Sequence, residues 1–364
     1  MYWKGLNLRT THRRLLLTAL IVVFVAILSI VTLTKSVGPS LPALRAAPLW
    51  SVTLVRKILD AASSNATHVI PTGVKDALLK LKIPELVDVV KASQFLDVEL
   101  PPRSGRHAKV LGFAGTPGFW QDASDGKWEP MTFKVLSAIL ASRPGAVIDF
   151  GSWIGPTVIA AANLPSSTRV FGMDVDPVAF TQLALNVAAN AHVAAKTHVY
   201  FVGISDTFSK RSIMTNVCDE GIGDSCTTMI APKNRDNLFQ IIVQTLPLPQ
   251  FLEAVGVPLE EVVFIKIDAE GAEMLILPPL VDFMSRWPGI KPAVWLSLHE
   301  FAVSVPWVHR VSPFMRLYQY GYVEANGVLE LLWASLDTSH AIECHLMCTY
   351  LLSDTPVNIS FSEY

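Results

Sequence analysis

Ala146-Val147-Ile148-Asp149-Phe150-Gly151-Ser152-Trp153-Ile154-Gly155 is the stretch that decides the fold of this chain. An apolar run bounded by glycine reads as a short strand, Ala146–Phe150, buried on both faces. Pro156 suits the first turn of a helix, so Pro156–Asn163 reads as one. Working outward, the alternation repeats. Met131–Ala141 upstream reads as a helix. Downstream, Arg169–Met173, Val199–Ile204, Val262–Ile267 and Ala293–Leu298 read as strands, with helices over Pro177–Asn190, over Phe251–Val255 and from about Ala272. Apolar strands alternating with helices predict an α/β fold with a Rossmann-like, doubly wound, mostly parallel sheet. Asn326-Gly327 predicts a tight turn, and Tyr322–Ala325 and Leu346–Leu352 an antiparallel edge.

In such a sheet a ligand binds beyond the carboxyl ends of the strands, at a switch point. Gly151 and Gly155 let backbone approach that ligand closely. The pattern is not G-x-G-x-x-G, and Asp149 stands beside the turn. A carboxylate there repels a pyrophosphate and attracts the ammonium and sulfonium of S-adenosylmethionine. Asp174 closes the next strand about 25 residues on, near the spacing at which an acid accepts hydrogen bonds from ribose hydroxyls. Asp206, past the third strand, is a candidate for the adenine amino group. Each of these acids also has the ordinary reading of a turn or cap residue.

Lys266, Asp268 and Glu270 alternate along a strand and its exit, so they face one way. A lysine inside an apolar strand is costly unless paired, and Asp268 or Glu270 is the expected partner. His299 ends the next strand and is expected beside Asp268. For methyl transfer to a hydroxyl, this set supplies a general base, Asp268 or His299, with Lys266 orienting it. Glu270 and Glu273 would position the acceptor or start the following helix, where acids are favoured. Asp268, Glu270 and His299 are residue types that also allow a divalent metal. The spacing does not demand one, and no metal is expected from it. Phe119 and Trp120 read either as walls of an acceptor pocket or as core aromatics.

Val147-Ile148-Asp149-Phe150-Gly151, the strand into Asp174 and above all Ile265-Lys266-Ile267-Asp268-Ala269-Glu270-Gly271-Ala272-Glu273 resemble the FkbM family of S-adenosylmethionine-dependent methyltransferases. That family usually reads I-K-I-D-V-E-G-A-E at the last motif, and this chain differs only at Ala269. The resemblance runs in order from about Trp128 to Leu352. It implies a class I methyltransferase type of sheet, S-adenosylmethionine as cofactor and, in many members, O-methylation of sugars and other small hydroxyl compounds. It adds Trp128-Glu129-Pro130 before a helix, which puts Glu129 and Trp153 with the cofactor-side residues. Trp153 and Pro156 depart from the common pattern, as does Met173-Asp174-Val175 where Phe-Glu-Pro is frequent. The stretch Ser209–Asn237 reads as an insertion outside the family pattern.

The N-terminus carries a separate signal. Leu15 to Leu33 is apolar apart from Thr and Ser, preceded by Arg13 and Arg14 and followed by Lys35. A helix of about 20 such residues spans a bilayer. The cations Lys4, Arg9, Arg13 and Arg14 keep the N-terminus cytoplasmic. The expected organisation is a cytoplasmic tail over 1–14, a signal anchor over 15–33, a stem over 34–105 with an amphipathic stretch near Val74–Ala92, and a domain over 106–364. A cleaved signal peptide is the rival, but its h-region is shorter, about 7–15 residues. The result is a single-pass type II protein with its domain in the lumen of the Golgi or endoplasmic reticulum. Asn65-Ala66-Thr67 and Asn358-Ile359-Ser360 fit the N-glycosylation pattern. The four cysteines permit Cys218–Cys226 and Cys344–Cys348 disulfides, or four reduced thiols.

With 29 basic and 31 acidic residues the formal net charge is -2, so no concentrated basic field for nucleic acid is expected. A lumenal hydroxyl acceptor, possible on a glycan, is the expected partner. Two other readings stand beside this one. An anchored lumenal enzyme with Asp174-Val175-Asp176 has the layout of a metal-dependent Golgi glycosyltransferase. The same fold also serves a non-catalytic lumenal binding module. An NAD-linked dehydrogenase fits least, because of Asp149.

Overall fold

In the computed structural model, residues 94–112, 117–216, 238–299, 308–334, 347–357 and 359 are described. The expected anchor over 15–33, the amphipathic stretch near Val74–Ala92, Asn65, Asn358, Cys218, Cys226 and Cys344 lie outside them. Among the described residues no helix is long and apolar enough to cross a membrane.

The decisive stretch forms β3 (Gly145–Phe150), buried at every residue, followed by α3 (Pro156–Asn163). β4 (Ser167–Asp174), β5 (Thr197–Phe201), β9 (Val262–Ile267) and β10 (Ala293–His299) complete the parallel part of the large sheet. Helices cover both faces, as buried parallel strands require. One face takes α2 (Pro130–Ser142), α3 and α4 (Pro177–Ala188), with Leu136, Val158 and Leu183 packed on Val147, Val170 and Val263. The other takes α6 (Leu248–Val255), α7 (Glu273–Ser285) and α8 (Val308–Met315), with Phe251, Leu277 and Val311 packed on Ile148, Met173 and Ile265. The doubly wound, mostly parallel sheet is therefore as expected.

At the far edge β11 (Tyr320–Ala325) and β12 (Val328–Ala334) form a hairpin through Asn326 and Gly327, both at positive φ. The chain's last strand, β13 (Met347–Ser353), inserts antiparallel between β10 and β11. The full order is β12-β11-β13-β10-β9-β3-β4-β5. Cys348, on β13, is disulfide-bonded.

Three boundaries differ from expectation. Val199–Ile204 is not one strand. β5 is the edge of the large sheet, so the chain past Phe201 finds no pairing there, and β6 (Gly203–Ile204) pairs with β8 (Leu238–Leu246) instead. The expected insertion begins as β7 (Ser209–Asn216), antiparallel to β8 in this small second sheet. The expected stem holds β1 (Gln94–Glu99), which pairs with β2 (His107–Gly112) across the boundary at 105. α1 (Pro117–Ser124) follows that hairpin. Side chains of α4, and that of Asn190 just before the short α5 (Ala191–Ala194), fix the hairpin as another strand would. Asn186 Oδ1 accepts the Leu111 N–H at 2.7 Å, Gln182 Nε2 donates to Leu111 O, and Asn190 bonds both the N–H and the carbonyl of Lys109 at 2.7 Å.

Candidate active site

The carboxyl ends of β4, β3, β9 and β10 stand side by side, and the charged residues singled out above gather there. Asp149 and Lys266 are register partners across β3 and β9. Lys266 is buried and its Nζ donates to Asp268 Oδ2 at 2.8 Å, with Asp149 Oδ1 at 4.0 Å. Burial alone would lower the lysine's pKa, but Asp268, Asp149 and Glu129 outweigh it and hold the ammonium charged. Burial likewise works against ionising Asp268, and Lys266, His299 and a hydrogen bond from Ser297 overcome it, so its pKa is lowered.

His299 ends β10 with its Nδ1 3.1 Å from Glu273 Oε1. Its Nε2 lies 3.5 Å from Asp268 Oδ1 and 3.8 Å from Glu270 Oε1. Burial disfavours the imidazolium, but Glu273, Asp268 and Glu270 raise its pKa to about 9. Glu273 opens α7 and is wholly buried; its carboxylate accepts the N–H groups of Ala269 and Gly271 at 2.8 Å. The helix-start reading of Glu273 is thus met, and the hold on His299 is additional. Sequence reasoning missed that hold and the Ser297 bond. Both follow from period-2 alternation on β10, which turns Ser297 and His299 to one face.

On the cofactor side, Asp174 Oδ2 accepts the Trp153 N–H at 2.7 Å and Oδ1 the Asp176 N–H at 2.8 Å. Burial and the Asp176 charge push Asp174 up to about 7, against these bonds. Gly155 caps α3 at φ 99°, and a Cβ there would lie 2.7 Å from Leu183. Glu129 precedes α2, and its carboxylate accepts the Thr132 hydroxyl at 3.0 Å. Water reaches Glu129, yet protein crowds it enough to raise its pKa, with Lys266 opposing and Asp268 adding. Its place near Lys266, Asp268 and His299, with solvent access, makes it the mouth of the site, where the two halves meet. Five non-glycine residues among those described have positive φ, and Glu129, Trp153 and Glu270 are three of them. Backbone strain of this kind gathers at functional sites.

Two expectations change, for Asp149 and Asp206, and one left open is decided, for Trp120. Asp149 is fully buried, with neither oxygen hydrogen-bonded. Its nearest charged neighbour is Lys266, whose Nζ lies 4.0 Å from Oδ1, and burial pushes its pKa up to about 7. Asp206 is exposed and pairs with Arg211 on the small sheet's side, so the structure does not bring it into the cluster. Trp120 is wholly buried core, whereas half-buried Phe119 meets Trp128 and Trp153 edge to face at 5.1 and 4.5 Å. Asp176 Oδ1 caps α4 by accepting the Ala179 N–H at 2.9 Å. Asp174 and Asp176 thus serve as acceptors for the loop and for the first turn of α4.

Residues 149–320 match the model of the methyltransferase FkbM domain. Over those residues the chain is similar to an FkbM methyltransferase domain. No curated protein is similar enough to count as a relative. Among solved structures, the precorrin-6y C5,15-methyltransferase of Geobacter metallireducens is 14% identical, covers 62% of this chain and 87% of its own, with a TM-score of 0.31. The O-methyltransferase of Bacillus cereus in complex with SAH is 12% identical, covers 62% and 81%, with a TM-score of 0.34. The 16S rRNA N2 G1207 methyltransferase of T. Thermophilus in complex with AdoMet and guanosine is 12% identical, covers 72% and 51%, with a TM-score of 0.31.

The cofactor of this FkbM-like domain is S-adenosylmethionine, and the donor set fits it. The cofactor side presents the carboxylates Asp174 and Glu129 with the field of Asp149, and Lys266 is taken up between Asp149 and Asp268. Acids with no available cation suit hydroxyls, an ammonium and a sulfonium, and oppose a pyrophosphate.

Proposed function

We propose that this FkbM-like domain is an O-methyltransferase, that Asp268 receives the acceptor's proton, and that the acceptor is a glycan hydroxyl in the secretory-pathway lumen. The observation that carries the reaction is the Lys266–Asp268 pair, 2.8 Å apart beside the glycine turn. Bound S-adenosylmethionine supplies a methyl group made electrophilic by its sulfonium. Asp174 holds the ribose hydroxyls through its remaining lone pairs, and Glu129 faces the same mouth. Lys266 fixes Asp268 Oδ2 and keeps the carboxylate ionised, so it is ready to take a proton. The acceptor oxygen bonds to the methyl carbon as its proton passes to Asp268. The cofactor would supply the leaving group, because its sulfonium becomes a neutral sulfur once the methyl is given up.

His299 fits the base role less well than Asp268. With a pKa near 9 it starts the reaction already protonated, and a cation next to Asp268 stabilises the carboxylate instead. Phe119, Trp128 and Trp153 form a half-buried aromatic wall at the same mouth. Aromatic faces of this kind suit the apolar face of a sugar ring.

The lumenal part of the reading rests on the sequence signals at Leu15 to Leu33 and on the two glycosylation triplets. The test has two arms. Transfer of labelled methyl from S-adenosylmethionine is assayed on secreted glycoproteins before and after enzymatic glycan removal. Label that disappears with the glycans supports the acceptor class; label that stays on the polypeptide rejects it. Protease protection in sealed microsomes tests the topology, and a digested domain rejects lumenal placement.

A further inference from the structure

Asp268, Glu270 and His299 each offer one ligand atom, and these atoms lie within 4.8 Å of one another. They come from neighbouring strand ends, the exit of β9 and the last residue of β10. One imidazole with two carboxylates is a donor set for divalent transition metals.

The way His299 is held points the same way. Glu273 engages Nδ1, which turns Nε2 toward Asp268 Oδ1 and Glu270 Oε1. Metal-bound histidines are oriented like this, with the other ring nitrogen on a carboxylate or carbonyl. Glu273 is itself fixed by two backbone N–H groups, so the orientation is built in. The two oxygens of Asp268 are divided: Oδ2 accepts from Lys266 and Oδ1 faces the imidazole.

A second observation lies behind Lys266. Asp149 is wholly buried, its two oxygens lack a hydrogen-bond partner among the described residues, and Oδ1 is 4.0 Å from Lys266 Nζ. The lysine therefore has a carboxylate to turn to when Asp268 takes another cation. Together Asp149, Asp268, Glu129, Glu270 and Glu273 place five carboxylates around one lysine and one histidine.

We infer that Asp268, Glu270 and His299 bind a divalent transition metal of the manganese or zinc class. The ion site stands on its own geometry; its use in catalysis rests on the O-methyl-transfer reading. In that role the ion would hold and orient the acceptor oxygen, while Lys266 and Asp149 stay behind it.

Manganese binding to the full-length chain is read from loss of the free-ion electron paramagnetic resonance signal, with zinc as competitor. Saturable binding is expected, weakened at least about tenfold in Glu270→Gln and in His299→Ala. Glu330→Gln, on the exposed hairpin, should match wild type. Glu270 is only half-buried, so Glu270→Gln keeps the fold, which circular dichroism verifies. No saturable binding, or equal binding in wild type and Glu270→Gln, overturns the site. Calorimetry with S-adenosylmethionine on the same sample separates the two ideas. Cofactor binding without manganese binding removes the ion site alone, and manganese binding without cofactor binding removes the methyl-transfer reading alone.

Discussion

Gly151 and Asp268 meet backbone to backbone. A Cβ on Gly151 would lie 1.7 Å from the Asp268 carbonyl oxygen, and the Asp268 N–H donates to Phe150 O at 3.0 Å. The glycine turn, proposed to border the cofactor, and Asp268, proposed to face the acceptor, are therefore joined directly by main chain. Distance between the two halves of the reaction is set by main chain, which side-chain motion cannot loosen.

Gly151→Ala should break this junction. The residue sits at φ 76°, where an alanine is strained, and its methyl meets backbone that cannot step aside. Strain and overpacking together should cost about 2–4 kcal/mol. Urea denaturation checks this; a loss below about 0.5 kcal/mol, the ordinary range of a surface change, contradicts the contact.

Lys266 is the counter-charge for two carboxylates. Lys266→Met should destabilise by about 3–5 kcal/mol, because it strands buried charge. The double variant Lys266→Met with Asp268→Asn should lose less than Lys266→Met alone. A double variant that loses the sum of both single changes shows that the pair is not coupled.

Stability should also depend on pH through Asp149. Burial raises its folded pKa from the ordinary 3.8 to about 7. The contribution is thus fully present below the unfolded pKa and is lost as pH rises through about 7. Asp149→Asn removes the titration. Its denaturation midpoint should fall less than that of wild type between about pH 5.5 and 8.5. Parallel curves would show that Asp149 does not titrate there.

Much of this was legible in the sequence because a parallel sheet aligns successive strand ends. Asp149, Asp174, Lys266, Asp268 and His299 each close or leave an apolar run, so reading the runs located the cluster. Period-2 alternation also put Lys266 and Asp268 on one side. Burial was not legible: Asp149 and Asp174 look alike in sequence, yet one is sealed beneath the turn and the other borders it. The β1–β2 hairpin was hidden for a different reason. It is attached by Gln182, Asn186 and Asn190, a polar stripe at spacing four that reads as a helix's wet face. The antiparallel pairing of β11 with β13 was expected, but the insertion of β13 beside β10 joins distant segments, which no local pattern encodes.

That stripe gives a further test. Asn186 is fully buried and bonds Leu111 N–H and Ile154 O. Asn186→Ala should cost about 1–3 kcal/mol by orphaning buried backbone groups, and amide exchange should rise at Leu111. Unchanged protection at Leu111 would mean that the hairpin is held by its apolar contacts alone.

The central claim is that the ends of β3 and β4 hold S-adenosylmethionine while Asp268 acts on the acceptor. Calorimetric titration of the full-length chain with S-adenosylmethionine tests it most directly, in wild type, Asp174→Ala and Asp268→Ala. Saturable binding is expected in wild type. It should weaken by about 1.5–3 kcal/mol per lost charged hydrogen bond in Asp174→Ala, and persist in Asp268→Ala, in which transfer is abolished. No binding in wild type, or equal loss in both variants, would contradict the account.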